Sequence, residues 1–126
     1  MKKFKSAFQY LLAIFFILAG VNHFINAGFY LQMMPPYLPW HLFLVYLSGI
    51  FEIILGIMVL IPSLTSIAGW GLIALLIAVF PANIHMALHP DLFPNISPIV
   101  LWIRLPFQAV FIAWAYWSTR PSVSYP

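Results

Sequence analysis

The polar residues inside the long apolar stretches of this sequence carry the side chains that could do chemistry. Glutamate can take up or release a proton, histidine and the amides can hydrogen-bond a polar ligand, and arginine can hold a carbonyl or an anion. A charged side chain in the middle of a membrane costs about 2.5–3.5 kcal/mol, so it normally has a partner or a function. Our candidates for a ligand-binding pocket are therefore His23, Glu52, Asn83, Arg104 and Gln108.

The spacing of these residues places several of them on shared helix faces. Arg104 and Gln108 are four positions apart and share one face of a helix. Ser48, Glu52 and Gly56 follow the same spacing, which gives a stripe of small residues with the acid in it. Small residues let helices in a membrane approach closely. The pattern predicts that Glu52 faces a neighbouring helix.

Depth along each helix indicates that the polar residues share one half of the bilayer. At about 1.5 Å per residue, Glu52 lies about 16 Å from the start of its apolar run, and Arg104 lies about 9 Å from the start of its own. Asn83 and His85 are about 200° apart around an ideal helix, so both cannot face the bundle. Secondary candidates for the pocket are Asn22, Ser48 and His85.

Glu52 and Arg104 allow two interpretations. A salt bridge between them would lock the bundle and need no further function, and arginine can also extend to the membrane interface without a partner. Alternatively, both charges belong to a polar pocket that binds a ligand. We favour the pocket because several polar residues converge on one depth.

The histidines suggest two further kinds of site, and we favour neither. His23 and His85 have matching depths and could be axial haem ligands from two helices. His85, His89 and Asp91 have a spacing compatible with a metal ion, but Pro90 breaks the helix there. The sequence contains no cysteine, which excludes thiolate metal sites and disulfide chemistry by this chain. We predict no metal site.

Four long apolar segments must position these residues. The chain has 126 residues, of which 64% are hydrophobic and 6% are charged, too apolar for a soluble domain of this size. A helix needs about 20 apolar residues to cross a bilayer. The segments predict an all-α transmembrane four-helix bundle, a single domain over residues 1–126, with spans at about 7–26, 41–61, 67–88 and 98–118.

The distribution of basic residues predicts the topology and limits the partners. Lys2, Lys3 and Lys5 precede the first span, which predicts a multi-pass protein of the cell membrane with cytoplasmic N- and C-termini. The polar pocket then lies in the outer half, and residues 27–40 and 89–97 form external loops. Nucleic-acid binding is excluded because basic residues are too few. The lipid bilayer is the expected partner, and the small-residue faces permit a homodimer.

Four short motifs, one in each predicted span, carry a resemblance to a known family. They are Gly-Val-Asn-His-Phe at 20–24, Ser-Gly-Ile-Phe-Glu at 48–52, Phe-Pro-Ala-Asn-Ile-His-Met-Ala at 80–87 and Arg-Leu-Pro-Phe-Gln at 104–108. In this order the motifs resemble the DoxX-like family of small four-span membrane proteins. The resemblance covers nearly the whole chain and makes the motif positions candidates for the site. We assign no catalytic residue.

The resemblance to DoxX-like proteins implies a function in redox chemistry at the membrane. The family is similar to the membrane subunit of a thiosulfate:quinone oxidoreductase and to proteins of oxidative-stress enzyme complexes. The first hypothesis is a redox-associated subunit that binds a quinone or similar apolar ligand and works with a membrane or soluble redox partner. The alternative is a non-enzymatic assembly, chaperone or scaffolding factor whose pocket recognises a partner's transmembrane helix.

Overall fold

The computed structural model describes residues 2–121, which form helices joined by short connections. In chain order the α-helices are α1 (Lys2–Ile25), α2 (Ala27–Met33), α3 (His41–Val59), α4 (Thr65–Leu88) and α5 (Pro98–Thr119). One 3₁₀ turn, Pro90–Leu92, precedes α5. Helices α1, α3, α4 and α5 are long and apolar enough to cross a membrane. The predicted all-α transmembrane four-helix bundle is confirmed.

The connection between the first two spans differs from the sequence prediction. Residues 27–40 were expected to form a loop, but the structure places the seven-residue helix α2 there. Its apolar side chains explain the difference, because Met33 is buried and the ring of Phe29 packs on Phe93 at a centroid distance of 5.8 Å. Helix α1 also begins at Lys2, ahead of the predicted start near residue 7.

Helices α1 and α3 pack antiparallel through glycines. A Cβ atom on Gly20 would lie 2.5 Å from the carbonyl oxygen of Gly49, and one on Gly56 would lie 3.0 Å from the carbonyl oxygen of Ala13. The two backbones therefore approach closely, as small residues allow in membrane bundles. Helices α4 and α5 form the second extensive antiparallel pair.

Large apolar side chains cover the outside of the bundle. Leu18, Ile25, Ile67 and Ile99 are each more than 60% exposed, with values of 63%, 73%, 62% and 69%. A soluble monomer rarely exposes such a continuous apolar surface. The chain is a multi-pass membrane protein whose helices contact lipid.

Two buried clusters stabilise the two ends of the bundle. The larger one joins the four long helices and includes Leu12, Phe16, Val59, Leu72 and Leu76. The smaller one lies beneath α2 and consists of Met33, Met86, Ala87, Phe93 and Leu101. We call the end that carries α2 and the 3₁₀ turn the α2 end. The opposite end, with the start of α1, the turn at 60–64 and the end of α5, is the terminal end.

Candidate functional site

A cavity of about 610 Å³ lies between the long helices toward the α2 end. We call it the α2-end cavity. Most of its lining is apolar. Members of both buried clusters line it, so the cavity lies between the two clusters. Its aromatic and aliphatic lining includes Phe15, Phe16, Met33, Leu76, Phe107 and Phe111.

The structure brings the five main candidate residues together around this cavity. The five main candidates that line it are His23, Glu52, Asn83, Arg104 and Gln108. The secondary candidate Ser48 also lines it. The other two secondary candidates do not line it. Asn22 instead donates a hydrogen bond to the hydroxyl of Tyr30 at 2.7 Å, and the ring of His85 lies beside that of His89. That these residues bind a ligand stays a prediction.

His23 and Glu52 meet where α1 and α3 are closest. Nδ1 of His23 lies 3.2 Å from Oε2 of Glu52 and 2.8 Å from the carbonyl oxygen of Ala19. Both side chains are buried, each with 8% of its residue surface exposed. The imidazole cannot align with both acceptors, and Oε2 of Glu52 accepts no well-aligned hydrogen bond within the described residues. The carboxylate therefore keeps acceptor capacity at the cavity wall.

The close approach of α1 and α3 explains why these two side chains meet. A Cβ atom on Gly49 would lie 2.8 Å from the Cβ atom of His23. Any larger residue at position 49 would push the histidine away from α3. Glycine in the motif at 48–52 thus allows the histidine of the motif at 20–24 to reach Glu52 one turn further along α3.

The salt bridge between Glu52 and Arg104, one of the two interpretations that the sequence allows, does not form within the described residues. Among the described residues, the one ion-pair contact of Glu52 is with His23. Nε of Arg104 donates instead to Oδ1 of Asn83 at 3.3 Å. The two charges line one cavity without pairing, because the glycines draw Glu52 toward α1 while Arg104 is held by α4.

Asn83 links Arg104 to Gln108 across α4 and α5. Its Nδ2 donates to Oε1 of Gln108 at 2.5 Å, while its Oδ1 accepts from Arg104. Gln108 is buried, and its Nε2 donates to the carbonyl oxygen of Leu76. The network fixes Nε of Arg104. The terminal nitrogens of the guanidinium have no partner within residues 2–121, so they can donate to a group inside the cavity.

Tyr30 of α2 covers the cavity and was missed by the sequence analysis. Its ring stacks on that of His23 at a centroid distance of 4.0 Å. Burial raises the pKa of its hydroxyl above the ordinary value of 10.0, and the charge of Glu52 adds to this effect. The helical spacing of Phe29, Tyr30 and Met33 was the available signal, but it is short and lies in a predicted loop.

The histidine alternatives do not assemble in the structure. No group of three His, Cys, Asp or Glu side chains in the described range 2–121 is placed to hold a metal ion. The rings of His85 and His89 lie 4.2 Å apart, but Asp91 does not complete a ligand set with them. Of the two histidines considered as haem ligands, His23 lines the cavity and His85 does not.

The comparisons with known proteins place the chain in a family. Residues 12–119 match the model of a domain of unknown function, DUF8561, and the chain therefore belongs to that family. The matched region contains every charged and amide residue of the α2-end cavity. No curated protein and no solved structure matches the chain. The resemblance to the DoxX-like family stays a prediction.

Proposed function

We propose that this member of the DUF8561 family binds a small lipid-soluble ligand of the quinone class in the α2-end cavity, as a redox-associated membrane subunit. The observation that carries the proposal is that Glu52 and Arg104 share an apolar cavity without pairing. Placing charged side chains within a membrane bundle is costly, and such residues normally serve a ligand, an ion or a proton.

The size and lining of the cavity suit a ligand of this class. Small-molecule sites usually have about 300–1,000 Å³ and are mostly apolar with a few placed polar groups. The α2-end cavity, with about 610 Å³, lies within that range. Phe15 and Phe111 stack on one another in its wall at 4.9 Å, which offers aromatic surface to a flat ring.

Arg104 is the residue best placed to hold the polar head of the ligand. Asn83 already fixes its Nε, so little side-chain freedom is lost when its terminal nitrogens donate to a carbonyl oxygen. Charge-assisted hydrogen bonds of this kind are about twice as strong as neutral ones. A quinone, whose carbonyl oxygens can accept these hydrogen bonds, is therefore a better occupant than a purely aliphatic molecule.

The His23–Glu52 pair is placed to exchange protons with such a ligand. Reduction of a quinone to a quinol takes up two electrons and two protons at the carbonyl oxygens. A redox partner protein would supply the electrons, and the imidazole and carboxylate would relay the protons. The pair lines the same cavity as Arg104, which supports this division of roles.

Ligand retention by purified protein tests the proposal. The protein would be purified in a mild, lipid-retaining detergent, its absorption spectrum recorded, and an organic extract analysed by mass spectrometry. We expect a quinone-class molecule in near-stoichiometric amount in the wild type. Arg104→Gln should lose it, whereas His85→Ala, which lies in the same helix as Asn83 but does not line the cavity, should keep it.

The outcomes of this experiment distinguish the quinone-binding hypothesis from the assembly-factor hypothesis. Ordinary phospholipid alone in the wild-type extract would overturn the quinone proposal. If crosslinking then recovered one stoichiometric membrane partner, and Glu52→Ala abolished that recovery, the assembly-factor hypothesis would replace it.

A further inference from the structure

A second cavity lies at the terminal end, remote from the α2-end cavity. It has about 390 Å³ and lies between the start of α1, the end of α3, the start of α4 and the end of α5. We call it the terminal-end cavity. Its lining is rich in hydrogen-bonding side chains: Ser6, Gln9, Tyr10, Thr65, Ser66, Thr119 and Arg120.

Arg120 is held in one orientation in the wall of this cavity. Its Nη2 donates to the carbonyl oxygen of Ser66 at 2.6 Å, and its Cζ lies 4.4 Å from the ring centre of Trp70. The ring of Tyr116 lies on another side at 5.6 Å. A backbone carbonyl and two aromatic rings position the guanidinium but do not neutralise it.

The same guanidinium has donor capacity left over. Its Nε is buried and has no hydrogen-bond partner among the described residues. A buried donor without a partner is unfavourable, and one belonging to a charged group especially so. Planar guanidinium donors match the oxygens of a phosphate in a two-pronged geometry. An anion with several acceptor oxygens would satisfy this group.

Among the described side chains, the charge at the terminal end is of one sign. Lys3, Lys5 and Arg120 lie at this end. Nζ of Lys5 donates to the carbonyl oxygen of Arg120 at 2.5 Å, which brings a second cation beside the first. The chain's two acidic side chains lie elsewhere, Glu52 in the α2-end cavity and Asp91 in the 3₁₀ turn.

The surface around the cavity is suited to a lipid. Trp70, Tyr116 and Trp117 are 51%, 50% and 44% exposed, and such aromatic residues occupy the headgroup level of a membrane. Ile67, beside them on α4, is 62% exposed and offers apolar surface to an acyl chain. A basic pocket between transmembrane helices at the membrane surface is a typical site for an anionic lipid head.

We propose that the terminal-end cavity binds the phosphate headgroup of an anionic phospholipid, with Arg120 as its main ligand. The anionic class follows from the lining, which offers the Arg120 guanidinium and several hydroxyls to a phosphate but no carboxylate to the ammonium of a zwitterionic head. The acyl chains lie against the apolar outer faces of α4 and α5. The site is independent of the ligand proposed for the α2-end cavity.

Native mass spectrometry of lipid adducts tests this site. The protein would be titrated with phosphatidylglycerol and, separately, with phosphatidylcholine. We expect wild type to prefer phosphatidylglycerol, and Arg120→Gln to bind it about tenfold more weakly, as loss of a charge-assisted hydrogen bond predicts. Arg120→Lys, which keeps the charge but loses the planar donors, should fall between them. Lys3→Gln, outside the cavity lining, is the matched control for net charge.

A second variant keeps the test valid if Arg120→Gln folds poorly. Ser6→Trp inserts a large ring into the cavity while Arg120 stays in place, and it should also reduce adducts of phosphatidylglycerol. Equal binding of the two lipids by wild type, or unchanged preference in both variants, would overturn the proposal. Displacement of phosphatidylglycerol by inorganic phosphate at equal concentration would show a free-anion site and overturn the assignment to a lipid.

Discussion

The two cavities of this bundle hold their charged side chains in different ways. In the α2-end cavity, side chains of neighbouring helices provide the contacts, with His23 against Glu52 and Asn83 against Arg104. In the terminal-end cavity, Arg120 is positioned by the backbone of Ser66 and by aromatic rings. Both signs of charge line the first cavity, whereas the charged side chain in the lining of the second is a cation.

This difference bears on what each cavity can bind. A carboxyl group and a guanidinium that face one apolar space without contacting each other suit a neutral ligand with polar ends, such as a quinone, and the His23–Glu52 pair could exchange protons with it. A cation fixed by neutral groups suits an anion, because no acidic side chain in the lining of this cavity competes for its charge. The two cavities also differ in depth. The α2-end cavity lies among the membrane-spanning helices, whereas the terminal-end cavity lies where the long helices begin and end.

The largest expected effect comes from the glycine contact that creates the His23–Glu52 pair. Gly20→Val should lower the free energy of unfolding by about 3 kcal/mol, the upper end of overpacking costs, because its Cβ would meet the Gly49 carbonyl. Thermal unfolding in detergent measures this loss. Gly28→Val is the matched control, since a Cβ at that position meets nothing within 4 Å. Equal losses in both variants would contradict a tight α1–α3 contact.

A pair of double-mutant cycles tests which partner Glu52 has. His23→Phe and Glu52→Gln should show a coupling energy of about 1–2 kcal/mol, because the two side chains are in contact. Glu52→Gln and Arg104→Gln should show a smaller coupling energy than the first pair, because they share the cavity but no contact and no hydrogen bond. Coupling in the second cycle that matched the first would restore the salt-bridge interpretation.

Substituting one glutamine in each cavity compares how much the hydrogen bonds at the two ends of the bundle contribute to stability. Gln108→Leu removes bonds to Asn83 and to the carbonyl of Leu76 and should cost about 1 kcal/mol in unfolding free energy. Gln9→Leu removes one bond to the carbonyl of Ser118 and should cost about 0.6 kcal/mol, the mean for membrane helices. Gln108→Leu alone should also weaken ligand retention, because Asn83 then orients Arg104 less firmly.

The fold and the membership of the α2-end cavity could be predicted because polar residues are so rare in this chain. Apolar runs of sufficient length leave only helices as structures that can cross a membrane. Because an α-helix has a constant rise per residue, the depth of a side chain in the membrane follows from its position in the span. This depth was sufficient to group Glu52 with Arg104. Asn83 and His85 were expected to face different directions, and the structure places Asn83 at the cavity and His85 outside its lining.

Pairing within the cavity could not be predicted, because it depends on how each helix is rotated. Asn22 is adjacent to His23, yet one residue turns the helix by about 100°, and it contacts Tyr30 instead of the cavity. The rotation of α3 is set by Gly20 and Gly49, whose close contact brings Glu52 to His23. The sequence did not indicate Arg120 as a site residue, because its neighbours Ser66 and Trp70 come from another helix.

The smallest expected effect concerns pH and the hydroxyl of Tyr30, which covers the α2-end cavity. Its pKa in the folded protein is raised above 10.0 chiefly by burial, so the folded state holds its proton more tightly than the unfolded chain does. This contribution to stability is complete below the unfolded-state pKa and is lost as the pH rises through the folded-state pKa. The unfolding midpoint of Tyr30→Phe should therefore fall less steeply than that of wild type above pH 10.0. If the unfolding midpoints of the two proteins fell in parallel with pH, water would reach the hydroxyl of Tyr30 freely. In that case α2 would leave the α2-end cavity open to solvent.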